Sequence, residues 1–144
     1  MKKKDPPKPP IRPLYDELGV DGYYAQHGGE YRNPHEPIVR LHLAAAVDRW
    51  ALDLSSVLDL ACGSGAATLP MTRLVSPGET VAVDPSEGML TLARQRAHAE
   101  GLTLTAIQAK AEDFIAAAPA ASFDAVSMRF ALAYLDWQHV LPAI

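Results

Sequence analysis

Two aspartates, Asp59 and Asp84, flank a pair of closely spaced glycines, Gly63 and Gly65. The run Val57-Leu58-Asp59-Leu60-Ala61-Cys62-Gly63-Ser64-Gly65-Ala66-Ala67-Thr68 reads as a buried strand, a tight turn and a helix start. Glycine permits the sharp turn and lets a ligand approach the backbone with no Cβ in the way. The helix start beyond it offers free N–H groups to an anionic ligand group. Asp59 lies at the carboxyl end of the first strand, and Asp84 ends the next one. In a doubly wound sheet, an acid in the Asp84 position can accept hydrogen bonds from both hydroxyls of a ribose. Each residue also has an ordinary reading. A Gly-x-Gly is often only a turn, Asp84 can cap a helix starting near Ser86, and Asp59 can be a strand-end acid in water. No residue identifies itself as a catalytic base, and no metal site is expected. His27 and His35 read first as loop or helix-end histidines, and Tyr134 as a core residue.

The elements that must position these residues alternate along the chain. Strand-like runs are Ser56–Leu60, Thr80–Asp84, Leu102–Ile107 and Phe123–Met128. Helical stretches are expected at about 66–75, 86–100, 111–118 and 131–141. Strands alternating with helices imply right-handed crossovers and a parallel sheet. Before them, Asn33 as N-cap and Pro34 at the first helical position predict a helix over 34–51, with Ile38, Leu41, Ala45 and Trp50 able to share a face. Residues 15–32 are rich in Gly and Tyr and read as a loop or short turns. Residues 6–13 hold five prolines, which favour extended chain. The expected organisation is a basic, proline-rich leader over 1–13, an N-terminal lid and helix over 14–54, and the α/β domain over 55–144.

The chain has 144 residues, 49% of them hydrophobic, enough for one core. No run of eighteen apolar residues occurs, so no membrane-spanning helix is expected. The start is not followed by an apolar stretch, which speaks against a secretory signal. The single cysteine, Cys62, cannot form an internal disulfide; this suits a reducing compartment, and a cytoplasmic location is expected. The net charge is −4, but residues 1–12 carry +4, leaving −8 on the rest. An acidic body does not suit a nucleic-acid groove, where phosphate contacts need Lys and Arg.

At these residues the chain resembles the class I S-adenosylmethionine-dependent methyltransferases. Asp59-Leu-Ala-Cys-Gly-Ser-Gly is similar to the family's Asp-x-Gly-x-Gly-x-Gly signature. Val83-Asp84-Pro85-Ser86-Glu87-Gly88-Met89-Leu90, Ala109-Lys110-Ala111-Glu112-Asp113-Phe114 and Phe123-Asp124-Ala125-Val126-Ser127-Met128 resemble its next three motifs, in the family's order. The resemblance implies S-adenosylmethionine as cofactor. Gly63, Ser64 and Gly65, with Ala61 in the first signature-glycine position, would form the turn against the methionine moiety and ribose. Asp59 would hold the cofactor's amino group, directly or through water, and Asp84 the ribose hydroxyls. Pro85, Ser86 and Met89 would border the adenine, and Ala111 and Glu112 its edge. Met128 and Arg129 would border the methionine end. Tyr31, in a stretch resembling the lid of small-molecule members, is a further candidate cofactor contact. Lys110 stands where many relatives have an aspartate for the adenine amine, which leaves adenine recognition to backbone groups. Cys62 reads as a packing residue, since methyl passes directly to the acceptor in most relatives.

A dinucleotide site is the rival on the same architecture, but its Gly-x-Gly-x-x-Gly fingerprint meets Thr68 at the third glycine. Ser127-Met128-Arg129-Phe130 lacks the Asn/Asp-Pro-Pro-aromatic run of base-methylating relatives, so a small-molecule acceptor is expected over DNA or RNA. The fold expected is α/β: a Rossmann-like parallel sheet of about four strands with flanking helices, lacking the usual last three of the family's strand order 3-2-1-4-5-7-6. The fourth strand would then be an open edge, covered by a second copy or another partner. The alternative to an enzyme is a non-catalytic binding or interaction module derived from this fold.

Overall fold

The computed structural model describes residues 41–129 except 43, 47, 48, 50–52 and 76, together with 131, 135 and 137–140. The elements are β1 (Ser56–Leu60), α1 (Thr68–Val75), β2 (Glu79–Asp84), α2 (Glu87–Ala99), β3 (Thr105–Gln108), α3 (Ala111–Ala117), β4 (Ala125–Met128) and α4 (Trp137–Val140). All four strands are parallel, in the order β3-β2-β1-β4. The expected four-stranded, Rossmann-like α/β sheet is therefore present.

Strand alternation sends successive side chains to opposite faces, and each face has its own helices. Leu58 and Leu60 of β1 join Val81 and Val83 of β2 on one face, under Ala111, Phe114 and Ile115 of α3 and Val140 of α4. On the other face, Val57 meets Met71 and Val75 of α1, and Ala82 meets Leu90 of α2. The chain crosses from one face to the other between β3 and β4. The strand order consequently reverses between β1 and β4, the switch point beside which such sheets bind ligands. The central strands β1 and β2 are buried on both faces, which explains their near-continuous apolar runs. The edge strands β3 and β4 are shorter and have no buried residue.

Local chemistry moves several expected boundaries. The third strand begins at Thr105, not Leu102, because Gly101 closes α2 at φ 67°. Its N–H donates to the His98 carbonyl at 3.0 Å, and the Leu102 N–H donates to the Ala97 carbonyl at 2.9 Å. This pair is a Schellman cap, and it consumes Leu102. The fourth strand begins at Ala125, because Asp124 is used as a clasp. One oxygen of its carboxylate accepts the N–H and hydroxyl of Ser55 (both 2.9 Å) and of Ser56 (2.8 and 2.9 Å). These bonds, led by the Ser55 N–H, hold the exposed Asp124 carboxyl down at about 2. The expected helix over 131–141 is helical only at Trp137–Val140 among the described residues; Ala131 and Leu135 are not helical. Of the helix expected over 34–51, residues 41, 42, 44–46 and 49 are described, and all are helical. Leu41 is 67% exposed and Ala45 is exposed too, so the face they share is not buried.

Candidate functional site

The glycine turn grows directly out of the sheet. Cys62 N–H donates to the Val83 carbonyl at 3.0 Å, carrying the β1–β2 pairing past the last paired residues, Leu60 and Val83. Gly65 N–H then donates to the Cys62 carbonyl at 3.1 Å, and the Gly65 carbonyl accepts from Leu69 N–H as α1 begins. Three turn residues have left-handed backbone: Ala61 (φ 54°), Gly63 (φ 54°) and Gly65 (φ 89°). The two glycines do different work. A Cβ at Gly63 would meet nothing within 4 Å, so the backbone there faces open space. A Cβ at Gly65 would lie 2.5 Å from Leu69 Cδ1 and 3.4 Å from Ala93 Cβ. Gly65 therefore lets α1 and α2 close on the turn.

Asp84 ties this turn to the next. It is 2% exposed. Its Oδ2 accepts the Gly63 N–H at 2.8 Å, and its Oδ1 accepts the Ser86 N–H at 2.9 Å. Ser86 in turn is the N-cap of α2, its Oγ accepting from Met89 N–H at 3.4 Å. The capping reading of this stretch thus falls to Ser86, while Asp84 joins the two turns. Gln108, at the end of β3, donates to the Pro85 carbonyl at 3.0 Å. Arg96 of α2 donates to the Ser64 carbonyl at 2.9 Å, holding the turn from its other side.

Asp59 is 1% exposed. The alternative of a water-exposed strand-end acid is therefore wrong: β1 is interior, and α1 covers this face. Thr68 Oγ1 donates to Asp59 Oδ2 at 2.5 Å. Ser127 is paired in register with Asp59 on β4, so its hydroxyl lies beside the same carboxylate. Burial pushes the Asp59 carboxyl up to about 6; the Thr68 and Ser127 hydroxyls and the Arg129 charge oppose this, and the Asp84 charge adds to it. The same burial, with Asp59 and Asp84 nearby, pushes the Cys62 thiol up and keeps it neutral. A neutral buried thiol is a poor nucleophile.

The expected site residues are thus distributed as follows. Asp59, Ala61, Gly63, Ser64, Gly65, Asp84, Pro85 and Ser86 come together at the carboxyl ends of β1 and β2. Met128 and Arg129 stand at the carboxyl end of β4, which pairs with β1 there. Ala111 and Glu112 open α3, just past the carboxyl end of β3. Met89 and Ala111 are buried, and Ala111 and Met128 pack in or against the core. Lys110 is exposed ahead of α3 and makes no side-chain cap bond. Tyr31, His27, His35 and Tyr134 lie outside the described residues. Sequence reasoning missed Thr68, Ser127 and Arg96. Only for Ser127 was there a signal, its place on a strand expected beside β1.

A family described as "Methyltransferase domain" matches residues 57–144. Nothing among curated proteins matches the chain. Several solved structures share its fold. One comes from work on conversion of a disulfide bond into a thioacetal group during echinomycin biosynthesis: 26% identity, TM-score 0.56, covering 69% of this chain and 42% of that one. A second is the YcgJ protein of Bacillus subtilis, with 23% identity, TM-score 0.57 and coverage of 71% and 44%. A third is an S-adenosylmethionine-dependent methyltransferase of Clostridium acetobutylicum, with 22% identity, TM-score 0.55 and coverage of 80% and 40%. The chain spans less than half the length of each of these structures. With the family match running from β1 through the last described helix, on a sheet ordered β3-β2-β1-β4, the chain belongs to the methyltransferase domain family and has the class I S-adenosylmethionine-dependent methyltransferase fold.

Proposed function

We propose that this chain binds S-adenosylmethionine at the carboxyl ends of β1, β2 and β4, and takes part in methyl transfer to a small-molecule acceptor. The observation that carries this reading is the pairing of Gly63 with Asp84. A buried carboxylate holds the glycine turn in place, and among the described residues nothing lies within 4 Å of where a Cβ at Gly63 would be. The residues present fit the cofactor. Asp84 receives the ribose hydroxyls while it braces the turn. The Gly63–Gly65 backbone lies against the ribose and methionine moiety. Pro85 and Ser86 border the adenine, with Glu112 at its edge, and Arg129 borders the methionine end. Asp59 lies beneath the turn, and its charge favours the cofactor's amino group from there. When bound, S-adenosylmethionine supplies a methyl group already activated on a sulfonium sulfur. What the protein adds is alignment and exclusion of water. A base is needed only for an acceptor that arrives protonated.

The small-molecule reading is supported by the net charge of −8 outside the first twelve residues, which disfavours a phosphate backbone. No described helix is long and apolar enough to cross a membrane. Calorimetry with S-adenosylhomocysteine tests the cofactor. Absence of binding at millimolar ligand, with the chain folded, would sink the reading. Methyl transfer to a panel of metabolites tests turnover, and binding without turnover on any of them would favour the non-catalytic module.

A further inference from the structure

The Asp59 carboxylate is the one buried acid of the site that the cofactor reading uses as a charge rather than as a scaffold. Its surroundings bear on whether it can be charged at all. It sits on interior strand β1, under the first turn of α1. The groups facing it come from every neighbouring element: Thr68 from α1, Asp84 from β2, Ser127 and then Arg129 from β4 and the residue after it, and Cys62 from the turn. Asp84 works against ionisation. Arg129 works for it, from a partly exposed position where water weakens its effect. Thr68 is fully buried, and its hydroxyl donates to Asp59 Oδ2 at 2.5 Å. A hydroxyl donated to a carboxylate is among the stronger hydrogen bonds, and burial strengthens it further.

We propose that Thr68 is a positioning residue of the cofactor site: by donating its hydroxyl to Asp59 it keeps that carboxylate ionised and in one orientation, ready for the ammonium group of an amino-acid ligand. The proposal rests on the cofactor reading above and goes beyond it. It assigns a role to a residue outside the glycine signature, and it makes ligand affinity depend on pH. The Thr68 backbone opens α1, so its side chain is placed by the same turn that presents Gly63. Protonated Asp59 no longer favours a cation. If only the ionised form supports binding, affinity follows the ionised fraction.

The test uses the full chain, S-adenosylhomocysteine as the probe, and calorimetry between pH 6 and pH 8. The variants are Thr68→Val, which keeps the shape, and Thr68→Ser, which keeps the hydroxyl. Carboxyl carbon NMR of the ligand-free chain reports the Asp59 midpoint independently. Removing a hydrogen bond to a charged group moves that midpoint up by roughly one pH unit. Thr68→Val then weakens binding about fivefold at pH 6, about twofold at pH 7 and hardly at all at pH 8. Thr68→Ser behaves as the native chain. A loss of binding by Thr68→Val that is uniform across pH overturns the proposal, as does an unmoved Asp59 midpoint. Failure of the native chain to bind at any pH is a different result, since it removes the cofactor reading itself and this proposal with it. Should Thr68→Val not fold, Thr68→Ala removes the same hydroxyl and must show the same pH-graded loss.

Discussion

Ala61 shows how one residue can be both tolerated and strained. It stands in a signature-glycine position and has φ 54°, where an alanine Cβ crowds the carbonyl. Ala61→Gly relieves that crowding but adds freedom to the unfolded chain, so a net stabilisation of about 0.5–1 kcal/mol is expected. Denaturant unfolding should show a higher midpoint with an unchanged slope. The two perturbed aspartates pull stability in opposite directions with pH. Asp59 has its folded value raised from 3.8 to about 6, so its contribution is fully present in acid and is lost as pH rises through 6. That loss amounts to at most about 3 kcal/mol. Asp124 has its folded value lowered from 3.8 to about 2, so its contribution is present above pH 4 and is lost as pH falls through 2. Stability measured between pH 4 and pH 7 should fall with rising pH, and Asp59→Asn should flatten that slope.

At the scale of elements, the turn and its helices are fitted to one another more tightly than any single motif suggests. Gly65→Ala places a methyl group against Leu69 and Ala93 and demands a left-handed alanine, so a loss of about 2–4 kcal/mol is expected in thermal or denaturant unfolding. Thr80 makes the opposite case. It is buried in β2 and its hydroxyl has no hydrogen-bond partner among the described residues. Thr80→Val keeps the shape and removes an unpaired polar atom, so the strand should be stabilised by about 1 kcal/mol. A fall in the unfolding midpoint would mean that the hydroxyl has a role in the native state. β1 is where these effects meet, since it carries Asp59, feeds the glycine turn and pairs with strands on both sides.

For the whole molecule, the proposed site lies beside the switch point between β1 and β4, where the strand order reverses. A ligand at the proposed site would bind the folded chain and not the unfolded one, and so would stabilise the fold. S-adenosylhomocysteine at a hundred times its dissociation constant should therefore add about 2.7 kcal/mol of stability. A thermal shift assay would show this as a rise in Tm, and Asp84→Ala should abolish the rise. That variant removes the brace between the Gly63 and Ser86 N–H groups as well as the proposed ribose contact.

The sequence alone determined the architecture, because its signals are local. β1 and β2 are short apolar runs bounded by turn residues, and the glycines and capping residues that end the elements act within a few residues of themselves. The order of the four motifs along the chain likewise marked out the carboxyl-end residues from Asp59 to Arg129. The tertiary structure decided how those residues act. Asp59 looks like a strand-end acid in the sequence. It is buried only because α1 folds back over β1, and it is bonded to Thr68 and flanked by Ser127 only because α1 and β4 converge on it. Gly63 and Gly65 look alike, yet one faces open space and the other packs beneath Leu69. The last strand begins later than its apolar pattern implies, because Asp124 is taken by Ser55 and Ser56, some seventy residues away. Contacts across such separations depend on how strands are ordered and which face each helix covers, and no local pattern of residues encodes them.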